Sequence, residues 1–354
     1  MTVRPSRDEV RIADRRVGAG NPCFVIAEAG VNHDGDEAKA MLLIDAAADA
    51  GADAVKFQTF VADQVVSASA AKAAYQLDER APNETQLDML RRLELAPDAM
   101  RRLQERCRAR GIVFLSSPFD DESLDVLDRL DVAAIKLGSG ELTNLPFIAR
   151  AARTGRPLII STGMATLEEV ITAVRAAGDA PGGLVLLHCV SEYPSPAAHS
   201  NLRAMDTLRH ALGTPVGFSD HTLGFAVALA AVAMGARVIE KHITLDRTAA
   251  GPDHAASLEP DELVAFIEAI RAVELALGTG EKVPVRGEVE IAAVARKSVV
   301  VTRDVGAGEV LRAEDLAIRR PGTGLPPAAM AEVVGRTTRH ALRAGDVLLD
   351  GDLA

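Results

Sequence analysis

Aromatic side chains are nearly missing from this chain. Its 354 residues include no tryptophan, two tyrosines and nine phenylalanines, so Ala, Val, Leu and Ile must fill any core. Cysteine is as scarce: Cys23, Cys107 and Cys189 are far apart, odd in number and without CxxC spacing. That excludes a disulfide framework and points to a reducing compartment. No apolar run reaches membrane-spanning length, and the opening MTVRPSRDEVRIADRR carries no apolar signal core; a cytoplasmic protein with no membrane partner is expected. Positive charge is in deficit. A net charge of −11 argues against nucleic acid or an acidic membrane as partner. An anionic substrate would therefore need a local basic pocket. Only seven lysines are present, yet Lys56, Lys136 and Lys241 fall inside apolar runs.

What is present is a rhythm. Apolar runs at Cys23–Gly30, Ala54–Thr59, Val113–Pro118, Ala134–Gly140, Pro157–Thr162, Leu184–Ser191, Val216–Thr222 and Val238–Thr244 read as eight strands. Segments with helical spacing lie between them, among them Asp36–Ala50, Glu84–Arg110, Asp120–Leu130, Thr166–Ala177, Asn201–Leu212 and Gly224–Gly235, and Pro260–Leu277 follows the last. Strands alternating with helices imply βα units and a parallel sheet; eight of them imply an α/β fold, a (β/α)8 TIM barrel. The barrel is expected over residues 1–280, a linker over 281–295 and a small β-rich module over 296–354. In that module Gly308-Glu-Val-Leu-Arg-Ala-Glu-Asp-Leu-Ala317 recurs as Gly345-Asp-Val-Leu-Leu-Asp-Gly-Asp-Leu-Ala354, which points to internal pseudo-symmetry. The stretch Val61–Asn83 is too long for a plain βα loop and is expected to lie over one face of the barrel.

Polar residues collect at the strand ends, where barrel enzymes carry their chemistry. They are Glu28 with Asn32-His33, Lys56 and Gln58, Ser116-Ser117, Lys136 with Ser139 and Glu141, Ser161-Thr162, His188 with Ser191-Glu192-Tyr193, Ser219 and His221, and Glu240 and His242. Singly, each has a bland reading. A barrel lysine can be ion-paired, His188 can be a hydrogen-bonded core histidine, His33 can be a cap, and Ser and Thr can cap helices. Eight such coincidences at one rim favour an active site. Alternation along a strand puts Glu240 and His242 on one face and Lys241 on the other, so Lys241 is expected in a structural ion pair behind the barrel. Two lysines with hydroxyls and glycine amides make an anion site able to hold phosphate and carboxylate. Two imidazoles, His221 and His242, suit a loosely held divalent ion that polarises a carbonyl. Gly251-Pro252-Asp253-His254 offers a carboxylate to a polyol.

These residues carry a resemblance. Ala27-Glu-Ala-Gly-Val-Asn-His33, Val55-Lys-Phe-Gln-Thr59, Ser116-Ser-Pro-Phe119, Ile135-Lys-Leu-Gly-Ser-Gly-Glu141, Ile160-Ser-Thr-Gly-Met164, Gly217-Phe-Ser-Asp-His-Thr222, Glu240-Lys-His242 and Gly251-Pro-Asp253 are similar to the motifs of sialic acid (nonulosonic acid) synthases. The C-terminal module, with Arg319-Arg-Pro-Gly-Thr-Gly324, resembles their antifreeze-like SAF domain, a β-clip. The resemblance implies condensation of phosphoenolpyruvate with the open-chain aldehyde of an N-acylated mannosamine-type sugar, giving a nine-carbon 2-keto-3-deoxy acid and phosphate. It implies that His221 and His242 bind Mn²⁺, with Mg²⁺ or Co²⁺ as alternatives. Lys56, Ser117, Lys136, Ser139, Ser161 and Ser219 would hold phosphoenolpyruvate, and Gln58, Tyr193 and Asp253 the sugar. Glu28 would handle the attacking water, with Glu240 beside it. It also implies a domain-swapped homodimer in which Arg320 of the partner subunit reaches the sugar. One departure is Ser191, where some members have Asn. Glu192-Tyr193 and the following Ser-Pro look more like the bacterial legionaminic acid synthases, whose acceptor is a 2,4-diacetamido-trideoxy mannose. Rival readings are a Schiff-base pyruvate lyase using Lys136, a carbohydrate-binding protein, and a condensation with a phosphorylated aldose. The last requires a second phosphate site, for which no extra basic cluster is seen.

Overall fold

The structure is a computed structural model and describes residues 9–67, 69–73, 76–77 and 83–354. Its first unit runs to Gly278. Eight parallel strands form its centre: β3 (Phe24–Gly30), β4 (Ala54–Thr59), β5 (Val113–Pro118), β6 (Ile135–Leu137), β7 (Leu158–Ser161), β8 (Leu184–Cys189), β9 (Val216–Asp220) and β10 (Val238–His242). Their order is β5-β4-β3-β10-β9-β8-β7-β6. The last strand thus pairs with the first, and the sheet closes except at the seam between β5 and β6. Helices α1 (Glu37–Asp49), α2 (Ala62–Val65), α3 (Gln86–Leu93), α4 (Pro97–Arg110), α5 (Asp121–Arg129), α6 (Leu145–Arg153), α7 (Leu167–Ala177), α8 (Ala204–Leu212), α9 (Ala226–Ala233) and α10 (Pro260–Leu277) connect and cover the strands. Every residue of β3, β9 and β10 is buried, which is why these strands read as continuous apolar runs.

A hairpin, β1 (Glu9–Ile12) with β2 (Arg15–Gly18), plugs the N-terminal mouth of the barrel. Val10, Ile12 and Val17 pack there on Phe24, Ile26, Leu115, Ile159 and Val238. Gly183 permits this fit, since a Cβ would lie 2.8 Å from Val10. One end of the barrel is therefore sealed by aliphatic side chains, and the open end is left for chemistry. One helix expectation is corrected. The single helix over 84–110 is two, α3 and α4, because the residue before Pro97 is pushed out of the helical region: Ala96 has ψ 149°. The chain between Gly140 and Pro157 holds α6, a short helix capped by Asn144. Of the stretch 61–83, part lies outside the described residues; the described part begins with α2 and lines the mouth of the barrel.

The second unit spans Thr279–Ala354. The expected linker over 281–295 is two-thirds helical: α11 (Arg286–Ala295) occupies its second part, as its Glu and Ala content allows. Strands β11 (Ser298–Val301) and β12 (Leu316–Arg319) pair antiparallel over a core that includes Val299, Val301, Leu311, Leu342, Leu348 and Leu353. The decapeptide repeat has a structural counterpart. Asp315 accepts from the Arg312 amide at 2.9 Å, and Asp352 accepts from the Leu349 amide at 2.7 Å. Arg303 pairs with the first aspartate and His340 with the second.

Candidate active site

Strand register assembles the site. Glu28 lies beside Lys56 on one side and His242 on the other, and Glu240 lies beside Ser219. Between Glu28 and Gly30 the register with β4 slips by one residue, a bulge of the kind that re-aims side chains near active sites. Gly30 at φ +53° accepts the resulting left-handed turn. Glu28, Lys56, Gln58, Ser117, Lys136, Ser139, Ser161, Tyr193, Ser219, His221, Glu240, His242 and Asp253 all line one cavity of about 430 Å³ at the open end of the barrel. Arg320 does not: it is exposed in the second unit, where its Nε donates to the Ala295 carbonyl at 3.0 Å.

Four buried charges form the floor. Lys56 Nζ lies 2.6 Å from Glu28 Oε2 and 3.7 Å from Glu240 Oε2, and Lys136 Nζ lies 3.5 Å from Glu240 Oε1. Each lysine also reaches a hydroxyl, Lys56 to Ser117 at 3.2 Å and Lys136 to Ser161 at 2.8 Å. Ser219 donates to Glu240 at 2.9 Å. The two carboxyls are driven apart. Burial raises Glu28 to about 7, and the charge of Glu240 adds to that against the pull of Lys56. Burial also acts to raise Glu240, but Lys136 and Lys56 outweigh it and hold it at about 2. Burial and Lys56 lower Lys136; for Lys56 the two glutamates win and raise it. One carboxyl titrating near neutrality beside one that is firmly ionised is the signature of divided acid–base roles. Burying ions costs several kcal/mol each unless they are paired.

The histidines sit at the rim. His221 follows β9, and its Nδ1 donates to the Val190 carbonyl at 2.7 Å, which fixes the tautomer and frees Nε2 as a ligand. Nδ1 of His242 is buried with no hydrogen-bond partner and lies 3.8 Å from Asp253 Oδ2. Burial holds both imidazoles below their ordinary range, His242 well below it with the help of His221. Both are therefore neutral at pH 7, the form that binds metal. Their rings are 5.5 Å apart, and the Tyr193 ring stands 4.1 Å from that of His221. Among the described residues no group of three or more His, Cys, Asp or Glu could hold an ion. Two histidines with water or substrate completing the sphere fit these donors.

The loop after β10 is clamped from two sides. The Asp253 carbonyl accepts from Ser257 Oγ at 2.6 Å, and Asn32 donates to that hydroxyl at 2.9 Å. His254 is held between Thr244 Oγ1 at 2.7 Å and Asp34 Oδ1 at 3.0 Å. Gly251 lets the loop wrap this ring, as a Cβ would come within 2.6 Å of it. Asp253 itself is buried, which raises its carboxyl to about 6.

Several residues take their bland readings. Lys241 points away from the cavity, fully buried, and bonds to Asp220 at 2.9 Å. His188 bonds to the Ser200 carbonyl at 2.8 Å. Nδ1 of His33 accepts from the Gly35 amide at 3.0 Å. Sequence reasoning passed over Cys189, whose Sγ lies 3.0 Å from Ser139 Oγ, and Gly163, whose amide donates to that hydroxyl at 3.0 Å. A Cβ at Gly163 would meet Ser139 Oγ at 2.7 Å, so a larger residue there would displace that hydroxyl. The apolar part of the lining was also missed: Val65, Met89, Leu90 and Leu93 come from the helices α2 and α3, and Val31, Phe60 and Phe119, which directly follow strands, read as ordinary core residues.

The sequence profile of the NeuB family matches residues 43–282, and that of the SAF domain matches residues 296–354. N,N'-diacetyllegionaminic acid synthase of Legionella pneumophila is 45% identical, over 94% of this chain and 95% of that one. N-acetylneuraminate-9-phosphate synthase of Homo sapiens is 34% identical, over 95% of this chain and 94% of that one. The crystal structure of an N-acetylneuraminic acid synthetase from Leptospira borgpetersenii, in complex with citrate, superposes with a TM-score of 0.72 at 35% identity, covering 81% of this chain and 96% of that one. The buried Lys–Glu floor, the two-histidine rim and these matches give one conclusion: the chain belongs to the NeuB family of nonulosonic acid synthases and ends in a SAF domain.

Proposed function

We propose that this enzyme condenses phosphoenolpyruvate with the open-chain form of an N-acylated mannosamine-type sugar, releasing phosphate and a nine-carbon 2-keto-3-deoxy acid. The observation that carries the reading is the floor, where Lys56 and Lys136 converge on Glu240 with Glu28 beside them. It can hold a carboxylate and a phosphate while keeping one proton acceptor near neutrality. Lys56, Lys136, Ser117, Ser139, Ser161 and Ser219 hold phosphoenolpyruvate. Gln58, Tyr193 and Asp253 align the sugar, and Arg320 of the second subunit of a domain-swapped homodimer closes the site. His221 and His242 hold Mn²⁺, in preference to Mg²⁺ or Co²⁺, and the ion when bound polarises the sugar aldehyde.

The electron pair of the C2=C3 double bond of the enol phosphate forms the bond from C3 to the aldehyde carbon, and the aldehyde oxygen takes a proton from solvent. Glu240, ionised, stabilises the positive charge that develops at C2. Glu28 takes a proton from the water that adds there. The tetrahedral carbon then expels phosphate by C–O cleavage, leaving the ketone. The identity with the legionaminic acid synthase, above that with the neuraminate-9-phosphate synthase, supports an acceptor with a second acylamino group. The test is phosphate release from phosphoenolpyruvate with a panel of amino sugars. Release that needs both substrates, stops in EDTA and returns with Mn²⁺ is expected. Release without a sugar, activity that ignores chelator, or trapping of Lys136 by borohydride with pyruvate overturns the reading.

A further inference from the structure

Three consecutive strands bring a hydroxyl, an amide and a thiol to one point of the cavity. Ser139 follows β6, Gly163 follows β7, and Cys189 ends β8. Ser139 Oγ accepts from the Gly163 amide at 3.0 Å and lies 3.0 Å from Cys189 Sγ. The bare Cα of Gly163 lets the two side chains meet: a Cβ there would lie 2.7 Å from the hydroxyl oxygen and 2.8 Å from the sulfur. Cys189 is buried, yet it lines the cavity beside Ser139 and Lys136. The other cysteines, Cys23 and Cys107, pack in the barrel core.

A serine hydroxyl has one proton to give and two lone pairs to fill. The Gly163 amide fills one lone pair of Ser139. The contact with Cys189 can run in either direction. If Ser139 donates to sulfur, it spends its proton there and turns a lone pair toward the cavity, which repels an anion. If sulfur donates, both lone pairs are filled and the Ser139 proton is left to face the cavity. A phosphate dianion and a carboxylate accept hydrogen bonds and donate none, so only the second arrangement suits an anionic ligand.

We infer that Cys189 is a positioning residue: its S–H donates to Ser139 Oγ and so turns the Ser139 proton toward bound phosphoenolpyruvate. The inference rests on the synthase reading above, in which Ser139 holds that substrate. It requires a neutral thiol. Burial raises the Cys189 thiol, against the opposing pull of Ser139 and of the charge on Lys136. The sulfur therefore keeps its proton and adds no competing negative charge to the anion site.

The test measures phosphoenolpyruvate binding to the Mn²⁺-loaded enzyme by calorimetry at pH 8. Infrared difference spectra follow the S–H stretch, with Cys189→Ala identifying the band. Wild type should show a Cys189 S–H band that moves to lower frequency when phosphoenolpyruvate binds, as the thiol becomes a committed donor. Cys189→Ala should weaken binding about 5-fold, within the range of one neutral hydrogen bond. Cys189→Ser, which restores a donor, should recover most of that loss. On a Ser139→Ala background the same Cys189→Ala change should cost less than about 1.5-fold, because the hydroxyl it orients is gone. A missing band, a band that ignores phosphoenolpyruvate, or a Cys189→Ala loss that is equal in both backgrounds overturns the inference and leaves the synthase reading intact. The infrared arm uses the wild-type protein, so it decides the matter even where a variant does not fold. Wild type that binds no phosphoenolpyruvate overturns both.

Discussion

Glu28 and Glu240 share two lysines yet titrate on opposite sides of neutrality, and this division is the most informative property of any single residue here. A carboxyl raised to about 7 is protonated below that pH and ionised above it. If Glu28 takes the proton of water, the rate should rise with pH through about 7, and Glu28→Gln should lose at least about 100-fold in kcat together with that limb of the profile. The same shift has a stability consequence. The folded value lies above the unfolded one, so the group's contribution is full below the unfolded value and is lost as pH rises through about 7. Denaturant titrations at pH 5 and pH 8 should show wild type losing this contribution at the higher pH and Glu28→Gln not losing it. Lys241 and Asp220 make the contrasting case. Both are fully buried and paired at 2.9 Å, outside the cavity. Removing one partner, as in Asp220→Asn, should cost about 3–5 kcal/mol of unfolding free energy, read by chemical denaturation. Replacing both with apolar residues of similar volume should recover much of it. Strand alternation alone separated these two roles in the sequence. The opposed shifts of the glutamates were not legible, because they depend on which lysine stands across the barrel.

Among the elements, the strands were the legible part. A buried parallel strand is apolar on both faces, so polar residues at its end stand out, and every strand from β3 to β10 falls within an apolar run of the sequence. The hairpin β1–β2 and the short helix α6 carry weaker patterns, four residues per strand and nine in the helix. The loop after β10 is an element held in place rather than self-ordered. Its Asp253 is positioned by the Asn32–Ser257 and Asp34–His254 clamps, which reach from the loop after β3. His254→Gln should therefore raise KM for the acceptor sugar about 10-fold and leave KM for phosphoenolpyruvate unchanged. A merely structural loss would move both, so steady-state kinetics with each substrate varied separates the two.

At the scale of the whole molecule, an acidic protein of net charge −11 places two lysines at the bottom of its one plugged barrel, where an anion has little competition. The division at Gly278 gives a catalytic unit and a SAF unit, and the helical α11 within the expected linker shows that the junction has structure that its Gly-Thr-Gly-Glu-Lys start does not announce. Among the described residues no helix is long and apolar enough to cross a membrane. In the proposed reaction the barrel joins phosphoenolpyruvate to an amino sugar and breaks the C–O bond of the enol phosphate. It is tested most directly with phosphoenolpyruvate carrying ¹⁸O in the bridging position between C2 and phosphorus, mixed with the enzyme, Mn²⁺ and the diacetamido sugar. The released phosphate should retain the label, and the organic product should have the mass of a nine-carbon chain with its two acetyl groups. Unlabelled phosphate, or labelled phosphate with no condensed product, would contradict the account.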